Sequence, residues 1–121
     1  MKVLLVEDNE SNMLVVRTVL EAKGHEVLWA LEAEAGLVLA QENQPDLILM
    51  DIQLPTIDGL EATRRLKTDP TTARIPVVAL TAYAMPSDKR AALEAGCIDY
   101  ISKPFQLDPF VKLVESFQPE V

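Results

Sequence analysis

Short apolar runs recur along the chain, and longer segments of mixed polarity separate them. The apolar runs span residues 3–6, 27–29, 47–50, 77–80 and 100–101. Strands that are apolar throughout are buried on both faces, as in a parallel sheet that helices cover on both sides. The intervening segments carry apolar residues at helical spacing. Alternating strand and helix signals predict an α/β fold of five strands and five helices.

Residues that begin or end helices lie between these runs and support the same order of elements. Asp8 or Asn9 can cap a first helix that ends at Gly24. Asp58 with Glu61 resembles a capping box at the start of a third helix. These signals place a helix after the first strand and another after the third.

The remaining helices are predicted from the same kinds of signal. The spacing predicts a second helix over residues 32–43, although Gly36 inside it lowers helix propensity by about 1 kcal/mol relative to alanine. Pro86 suits the first turn of a fourth helix, and Gly96 suits its end. A last helix is predicted to begin at Asp108. Its apolar face consists of Leu107, Phe110, Val111 and Val114.

The predicted architecture is a single domain over residues 1–121. We expect a doubly wound, five-stranded parallel sheet of the flavodoxin-like kind, with strand order 2-1-3-4-5. In such sheets ligands bind beyond the carboxyl ends of the strands, near the point where the strand order reverses. The residues that follow each apolar run are therefore the candidates for a functional site.

Five polar residues lie just past four of these runs. Glu7 and Asp8 follow the first strand, Asp51 the third, Thr81 the fourth and Lys103 the fifth. Each has an ordinary alternative when taken alone: Asp8 as a helix cap, Thr81 as a strand-end hydrogen bonder, Lys103 as a solvated charge. Their shared position at one edge of the sheet favours a functional site.

Three neighbouring carboxylates suit a hard divalent cation, and Mg²⁺ is held in proteins by one or two carboxylates together with waters and phosphate oxygens. Asp51 ends the most buried of the predicted strands. A carboxylate near a metal and an ammonium can act as an oxygen nucleophile toward phosphorus. The metal and Lys103 would then neutralise charge on a transferred phosphoryl group. Thr81 could donate its hydroxyl to a phosphoryl oxygen.

Composition argues against several other classes of function. The length of 121 residues fits one domain. The net charge of -8 argues against binding to nucleic acid or to an anionic membrane surface. Since no apolar run approaches the ~20 residues of a membrane span, and no signal peptide is visible, we expect a cytoplasmic protein.

Four other residues are given ordinary structural roles. Cys97, the single cysteine, is expected to pack as a small hydrophobe, and an internal disulfide is excluded. His25 is interpreted as a solvated turn residue. Trp29 and Phe110 are interpreted as core or helix-packing residues.

The sequence resembles the receiver domains of two-component response regulators (CheY-like domains) over essentially its whole length. The resemblance lies in four segments: VEDN at residues 6–9, LILMDIQLPTIDGLE at 47–61, VVALTAYAM at 77–85 and AGCIDYISKPF at 95–105. By overall similarity the chain resembles the stand-alone cell-division regulators of the DivK type. Glu7 departs from the commonest pattern, in which Asp is frequent.

The resemblance implies that Asp51 accepts a phosphoryl group from a histidine kinase or a histidine phosphotransfer protein. It implies Mg²⁺ held by Glu7, Asp8, Asp51 and the backbone carbonyl of Gln53. The chain would be a signalling domain rather than an enzyme, and slow hydrolysis of its own phosphoryl group is compatible with the same site.

The resemblance also implies how phosphorylation would be transmitted. Thr81 matches the switch hydroxyl of the family, Lys103 the phosphate-pairing lysine and Tyr100 the switch aromatic. The surface made by the fourth helix, the fifth strand and the fifth helix would change for binding of a downstream protein or for phosphorelay. The protein would act as a monomer or as a phosphorylation-dependent dimer.

Three alternatives are weighed against this interpretation. An aspartate-nucleophile phosphatase needs a second acid two residues after Asp51, where Gln53 stands. A flavin-binding domain of the same topology needs a Ser/Thr/Gly-rich phosphate loop, and the acidic VEDN segment would repel that phosphate. A receiver-like interaction module that does not accept phosphate stays open.

Gln53, Ala82 and Tyr83 would flank the phosphoryl group, and we expect Gln53 and Tyr83 to set how quickly water hydrolyses it. The Gln53→Ala and Tyr83→Ala variants should therefore change the lifetime of the phosphorylated protein. Loss of the phosphoryl group over time can be followed by intact-mass analysis. Unchanged lifetimes in both variants would contradict the assignment.

Overall fold

A computed structural model of the chain describes residues 1–54, 57–81, 86–102 and 107–117. Five parallel strands form one sheet in the order β2-β1-β3-β4-β5, and five helices alternate with them. The elements are β1 (Lys2–Val6), α1 (Glu10–Ala22), β2 (Glu26–Ala30), α2 (Ala33–Asn43), β3 (Leu47–Asp51), α3 (Gly59–Thr68), β4 (Val77–Thr81), α4 (Pro86–Ala95), β5 (Asp99–Ser102) and α5 (Leu107–Glu115). The predicted fold and strand order are confirmed.

The sheet has an apolar layer on each face, because successive residues of a strand point to opposite sides. Val3 and Leu5 of β1 lie in the layer that α1 and α5 cover. Leu4 and Val6 lie in the layer under α2, α3 and α4. All four side chains are fully buried. Burial on both faces explains why the central strands β1, β3 and β4 are apolar without alternation.

Asn9, rather than Asp8, caps helix α1. The side-chain oxygen of Asn9 accepts a hydrogen bond from the Asn12 N–H at 2.9 Å. Asp8 is exposed and takes no part in this cap, which leaves its carboxylate available to the carboxyl edge of the sheet. The helix ends before Gly24, whose φ of +89° is a conformation that favours glycine.

Helix α3 begins at the predicted cap. Asp58 accepts a hydrogen bond from the Glu61 N–H at 2.8 Å, as expected for one half of a capping box. The Glu61 carboxylate lies 3.3 Å from Nε of Arg65, one turn further along the helix. The Asp58 half of the predicted motif is therefore present, and Glu61 pairs with a neighbouring arginine.

Gly36 is compatible with α2 because the helix lies close to β1 at this position. A Cβ atom on Gly36 would lie 2.7 Å from Cγ2 of Val6. The residue that weakens the helix by propensity therefore permits close packing of α2 on the sheet.

His25 is buried, so its interpretation as a solvated turn residue is wrong. Only 6% of the residue is exposed. Its Nδ1 lies 3.0 Å from the amino group of Met1, and its Nε2 lies 3.2 Å from a carboxylate oxygen of Glu115 on α5. The tertiary contact with α5 covers a residue that local sequence places in a turn.

Two apolar residues are more exposed than expected. Trp29 is 41% exposed and packs under the guanidinium of Arg17 on α1, with 3.9 Å between Cζ and the ring centroid. It packs on a helix but is not part of the core. Leu107 is also 41% exposed, because it lies at the first position of α5. The rest of the predicted apolar face of α5, Phe110, Val111 and Val114, is buried.

None of the helices among the described residues combines the length and the apolar character that crossing a membrane requires.

Cys97 is buried, as predicted, and burial raises the pKa of its thiol above the ordinary value. Because the thiolate is the reactive form, the native protein should be alkylated at least about tenfold more slowly than the unfolded protein at the same pH. The measurement is labelling followed by mass analysis, with Cys97→Ser as the blank. Equal labelling rates in the native and unfolded states would contradict this burial.

Candidate functional site

Three carboxylates converge at the carboxyl edge of the sheet. β1 and β3 are adjacent and parallel, with Val6 opposite Met50, so the next residue of each segment, Glu7 after β1 and Asp51 at the end of β3, lies at the same edge of the sheet. One carboxylate oxygen from each of Glu7, Asp8 and Asp51 lies within 4.8 Å of the others. Parallel pairing of the two strands thus creates the cluster that the sequence predicts.

Backbone N–H groups orient the two buried carboxylates. The N–H of Asn9 donates to Oε1 of Glu7 at 3.2 Å, and the N–H of Gln53 donates to Oδ1 of Asp51 at 2.8 Å. Glu7 and Asp51 are each 2% exposed, whereas Asp8 is exposed. Two of the acids are therefore held inside the protein and the third faces the solvent.

The main chain around these acids is anchored to neighbouring strands. The N–H of Glu7 donates to the carbonyl of Ala30 at 3.0 Å, which continues the pairing of β1 with β2. The N–H of Ile52 donates to the carbonyl of Leu80 at 3.1 Å, which ties the end of β3 to β4. Sheet hydrogen bonds thus hold the main chain at Glu7 and next to Asp51.

The electrostatics of the cluster favour a bound cation. Two unit charges ~4 Å apart repel by about 1 kcal/mol in water and by about 4 kcal/mol at an effective dielectric of ~20. A hard divalent cation prefers carboxylate and carbonyl oxygens, and it would replace this repulsion by attraction. The donor set of three carboxylates therefore fits Mg²⁺.

Thr81 is the last residue of β4, and β4 pairs with β3 so that Leu80 lies opposite Asp51. Its side chain is fully buried. Tyr100 lies on β5 opposite Ala79 and is partly buried against the apolar layer under α2, α3 and α4. The two predicted switch residues thus stand on adjacent strands.

Three of the predicted site residues, Ala82, Tyr83 and Lys103, lie outside the described residues. Among the described ones, the structure brings Glu7, Asp8 and Asp51 together. Gln53 is exposed, and its backbone N–H contacts Asp51. The roles assigned to the individual residues stay predictions.

Two backbone N–H groups contribute to the site in a way that the sequence did not predict. The N–H groups of Asn9 and Gln53 bind the carboxylates of Glu7 and Asp51, each two residues earlier in the chain. This spacing is that of carboxylate turns, in which an acidic side chain accepts from the backbone two residues on. Asn9 was interpreted only as a helix cap, which uses its side chain.

Comparison with known proteins identifies relatives over nearly the whole chain. The family model described as response regulator receiver domain matches residues 3–115. The polar-differentiation response regulator DivK of Brucella anthropi is 46% identical over 115 residues, which cover 95% of this chain and 94% of that protein.

Solved structures agree with this match. The receiver domain of a sensor histidine kinase from Pseudomonas aeruginosa, crystallised with a magnesium ion coordinated in its active site cleft, has a TM-score of 0.88 and 34% identity. The comparison covers 96% of this chain and 95% of that one. A putative response regulator from Chloroflexus aurantiacus has a TM-score of 0.91 and 34% identity over the same shares of the two chains.

The crowding of the acids predicts that neutralising one of them stabilises the metal-free protein. Asp51→Asn should raise the free energy of unfolding in a chelating buffer by about 1 kcal/mol or more, because it removes repulsion while the amide oxygen can still accept from Gln53. Chemical denaturation measures the difference.

Asp69→Asn is the matched control. Hydrogen bonds from Thr71 and Gln41 hold the pKa of the Asp69 carboxyl below its usual range. A carboxyl with a lowered folded-state pKa adds stability above its unfolded pKa, so at neutral pH this variant should lose stability. A loss of stability in Asp51→Asn as well would contradict the repulsion.

Proposed function

Because the chain belongs to the response regulator receiver domain family, we propose that it is a phosphoacceptor whose Asp51 receives a phosphoryl group from a phosphohistidine. The donor would be a histidine kinase or a histidine phosphotransfer protein. The observation that carries the proposal is the buried Asp51 carboxylate, grouped with those of Glu7 and Asp8 within 4.8 Å. The chain would then be a signalling domain rather than a classical enzyme.

The proposed cofactor is Mg²⁺. The carboxylates of Glu7, Asp8 and Asp51 and the backbone carbonyl of Gln53 would hold it. When bound, the ion would neutralise negative charge on the phosphoryl oxygens during transfer. Support comes from the donor set of the cluster and from the related receiver domain that was crystallised with magnesium in its active site cleft.

The transfer step is an in-line displacement at phosphorus. A carboxylate oxygen of Asp51 attacks the phosphorus atom, and the phosphorus–nitrogen bond of the donor breaks. The electron pair of that bond stays on the imidazole nitrogen, so an acyl phosphate forms. Because the other ring nitrogen of the donor carries a proton, the histidine leaves as neutral imidazole. The N–H of Gln53 holds one oxygen of Asp51 and thereby restricts the rotation of the carboxylate.

The remaining predicted residues would convert phosphorylation into a change of surface. Lys103 pairs with the phosphoryl oxygens, and the hydroxyl of Thr81 donates to one of them. The movement of Thr81 leaves space for Tyr100 to turn inward on the adjacent strand. The surface formed by α4, β5 and α5 then shifts toward the conformation that a downstream protein binds.

The proposal is tested by incubating the protein with a small phosphodonor and Mg²⁺, followed by intact-mass analysis. Wild type should gain the mass of one phosphoryl group, and Asp51→Asn should gain none. A chelator should suppress the gain in wild type. Asp69→Asn, which removes a carboxylate distant in sequence from the site, should be phosphorylated like wild type.

Two results would contradict the proposal. Failure of wild type to gain mass with either small donors or a phosphorylated histidine phosphotransfer protein would favour an interaction module that does not accept phosphate. Equal gains in wild type and Asp51→Asn would place the phosphoryl group on another residue.

A further inference from the structure

Gly59, the first residue of α3, lies directly against the main chain of Asp51. A Cβ atom on Gly59 would lie 2.2 Å from the carbonyl oxygen of Asp51 and 2.6 Å from Cα of Ile52. Real side chains do not approach other atoms so closely, so any larger residue would force the two segments apart. The amino end of α3 is therefore in contact with the peptide that carries the phosphoacceptor.

The glycine is needed for space and not for an unusual backbone conformation. Among the described glycines, only Gly24 and Gly96 have positive φ values. At the first turn of a helix, alanine has no intrinsic disadvantage. The clash at Gly59 involves backbone atoms, which cannot rotate away as a side chain can.

Hydrogen bonds hold Gly59 in this position from both sides. Its N–H donates to the carbonyl of Ile52 at 3.2 Å. Its carbonyl accepts from the hydroxyl of Thr63 at 2.7 Å, and Thr63 is fully buried. One turn of α3 is thus tied to the residue that follows Asp51.

The Thr63 hydroxyl has a further buried contact. Sγ of Cys97 lies 3.8 Å from Oγ1 of Thr63. Either group can donate in this contact, and burial raises the pKa of Cys97 so that the thiol keeps its proton. The Thr63 hydroxyl therefore lies between the Gly59 carbonyl and the Cys97 sulfur in the interior of the protein.

We propose that Gly59 and Thr63 are positioning residues for the phosphoacceptor site. They seat α3 on the Asp51–Ile52 peptide and thereby determine how far the Asp51 carboxylate lies from those of Glu7 and Asp8. Glu7, which follows β1, is anchored separately through its N–H bond to the carbonyl of Ala30, so a shift of the Asp51–Ile52 peptide against α3 would move Asp51 relative to Glu7. This inference rests on the proposed function.

The test is the affinity for Mg²⁺ alone, measured by titration calorimetry well below the melting temperature. Gly59→Ala should bind Mg²⁺ about 10–100-fold more weakly than wild type, the usual effect of disturbing residues that support metal ligands. A merely structural role would lower the melting temperature and leave this affinity unchanged.

Gly36→Ala is the matched control. It adds the same methyl group to a helix that packs on the sheet, but the clash is with the side chain of Val6. Its affinity for Mg²⁺ should stay within about twofold of wild type, because the Val6 side chain can shift without moving the main chain that carries Glu7, whereas the Asp51 carbonyl cannot. Equal affinities in Gly59→Ala and wild type, or equal losses in both glycine variants, would overturn the proposal.

Thr63 provides a second test if Gly59→Ala does not fold. Thr63→Val keeps the shape of the side chain and removes the hydroxyl that binds Gly59, so Mg²⁺ affinity should fall by about tenfold. Thr63→Ser keeps the hydroxyl and should have an affinity for Mg²⁺ close to that of wild type. Unchanged affinity in Thr63→Val, or no recovery in Thr63→Ser, would overturn the role of Thr63.

If the chain is not a phosphoacceptor, the measurements give a different pattern. Wild type would then bind no Mg²⁺ and accept no phosphoryl group, and both proposals would fall together. Wild type that binds Mg²⁺ and is phosphorylated, with variants that match it in affinity, overturns only the positioning role.

Discussion

Repulsion among the carboxylates of Glu7, Asp8 and Asp51 is the unfavourable interaction that the rest of the structure must offset. The parallel sheet forces the ends of β1 and β3 to the same edge, and their acids lie within 4.8 Å of one another. Each such pair opposes the compact state by about 1 kcal/mol or more. The fully buried apolar strands behind the cluster supply the stability that keeps the acids together, and a divalent cation would relieve the repulsion.

Main-chain atoms determine much of the geometry at the carboxyl edge of the sheet. Backbone N–H groups of Asn9 and Gln53 orient two of the carboxylates, and Gly59 lies against the peptide of Asp51. Because this geometry depends on the backbone, many surface side chains can be exchanged without changing it. This is consistent with TM-scores of 0.88 and 0.91 for relatives that share 34% of their residues with this chain.

Burial was the property that local sequence predicted least well. His25 follows a helix end and reads as a turn residue, yet Glu115, 90 residues further along the chain, packs over it. Trp29, interpreted as a core or helix-packing residue, packs against α1 rather than in the core, because β2 is the strand at one edge of the sheet and Arg17 covers one face of its ring. In both cases exposure depends on which distant element covers the residue.

The sequence by itself determined the order of strands and helices along the chain, the two-sided burial of the central strands and the identity of the acids at their ends. These features follow from local periodicity, helix caps and the rule that parallel strands end at one edge. Only the tertiary structure decided that Glu7 and Asp51 are buried while Asp8 is exposed, and that Gly59 touches the peptide of Asp51. Such distances arise from the packing of segments far apart in the chain, which no local pattern of residues encodes.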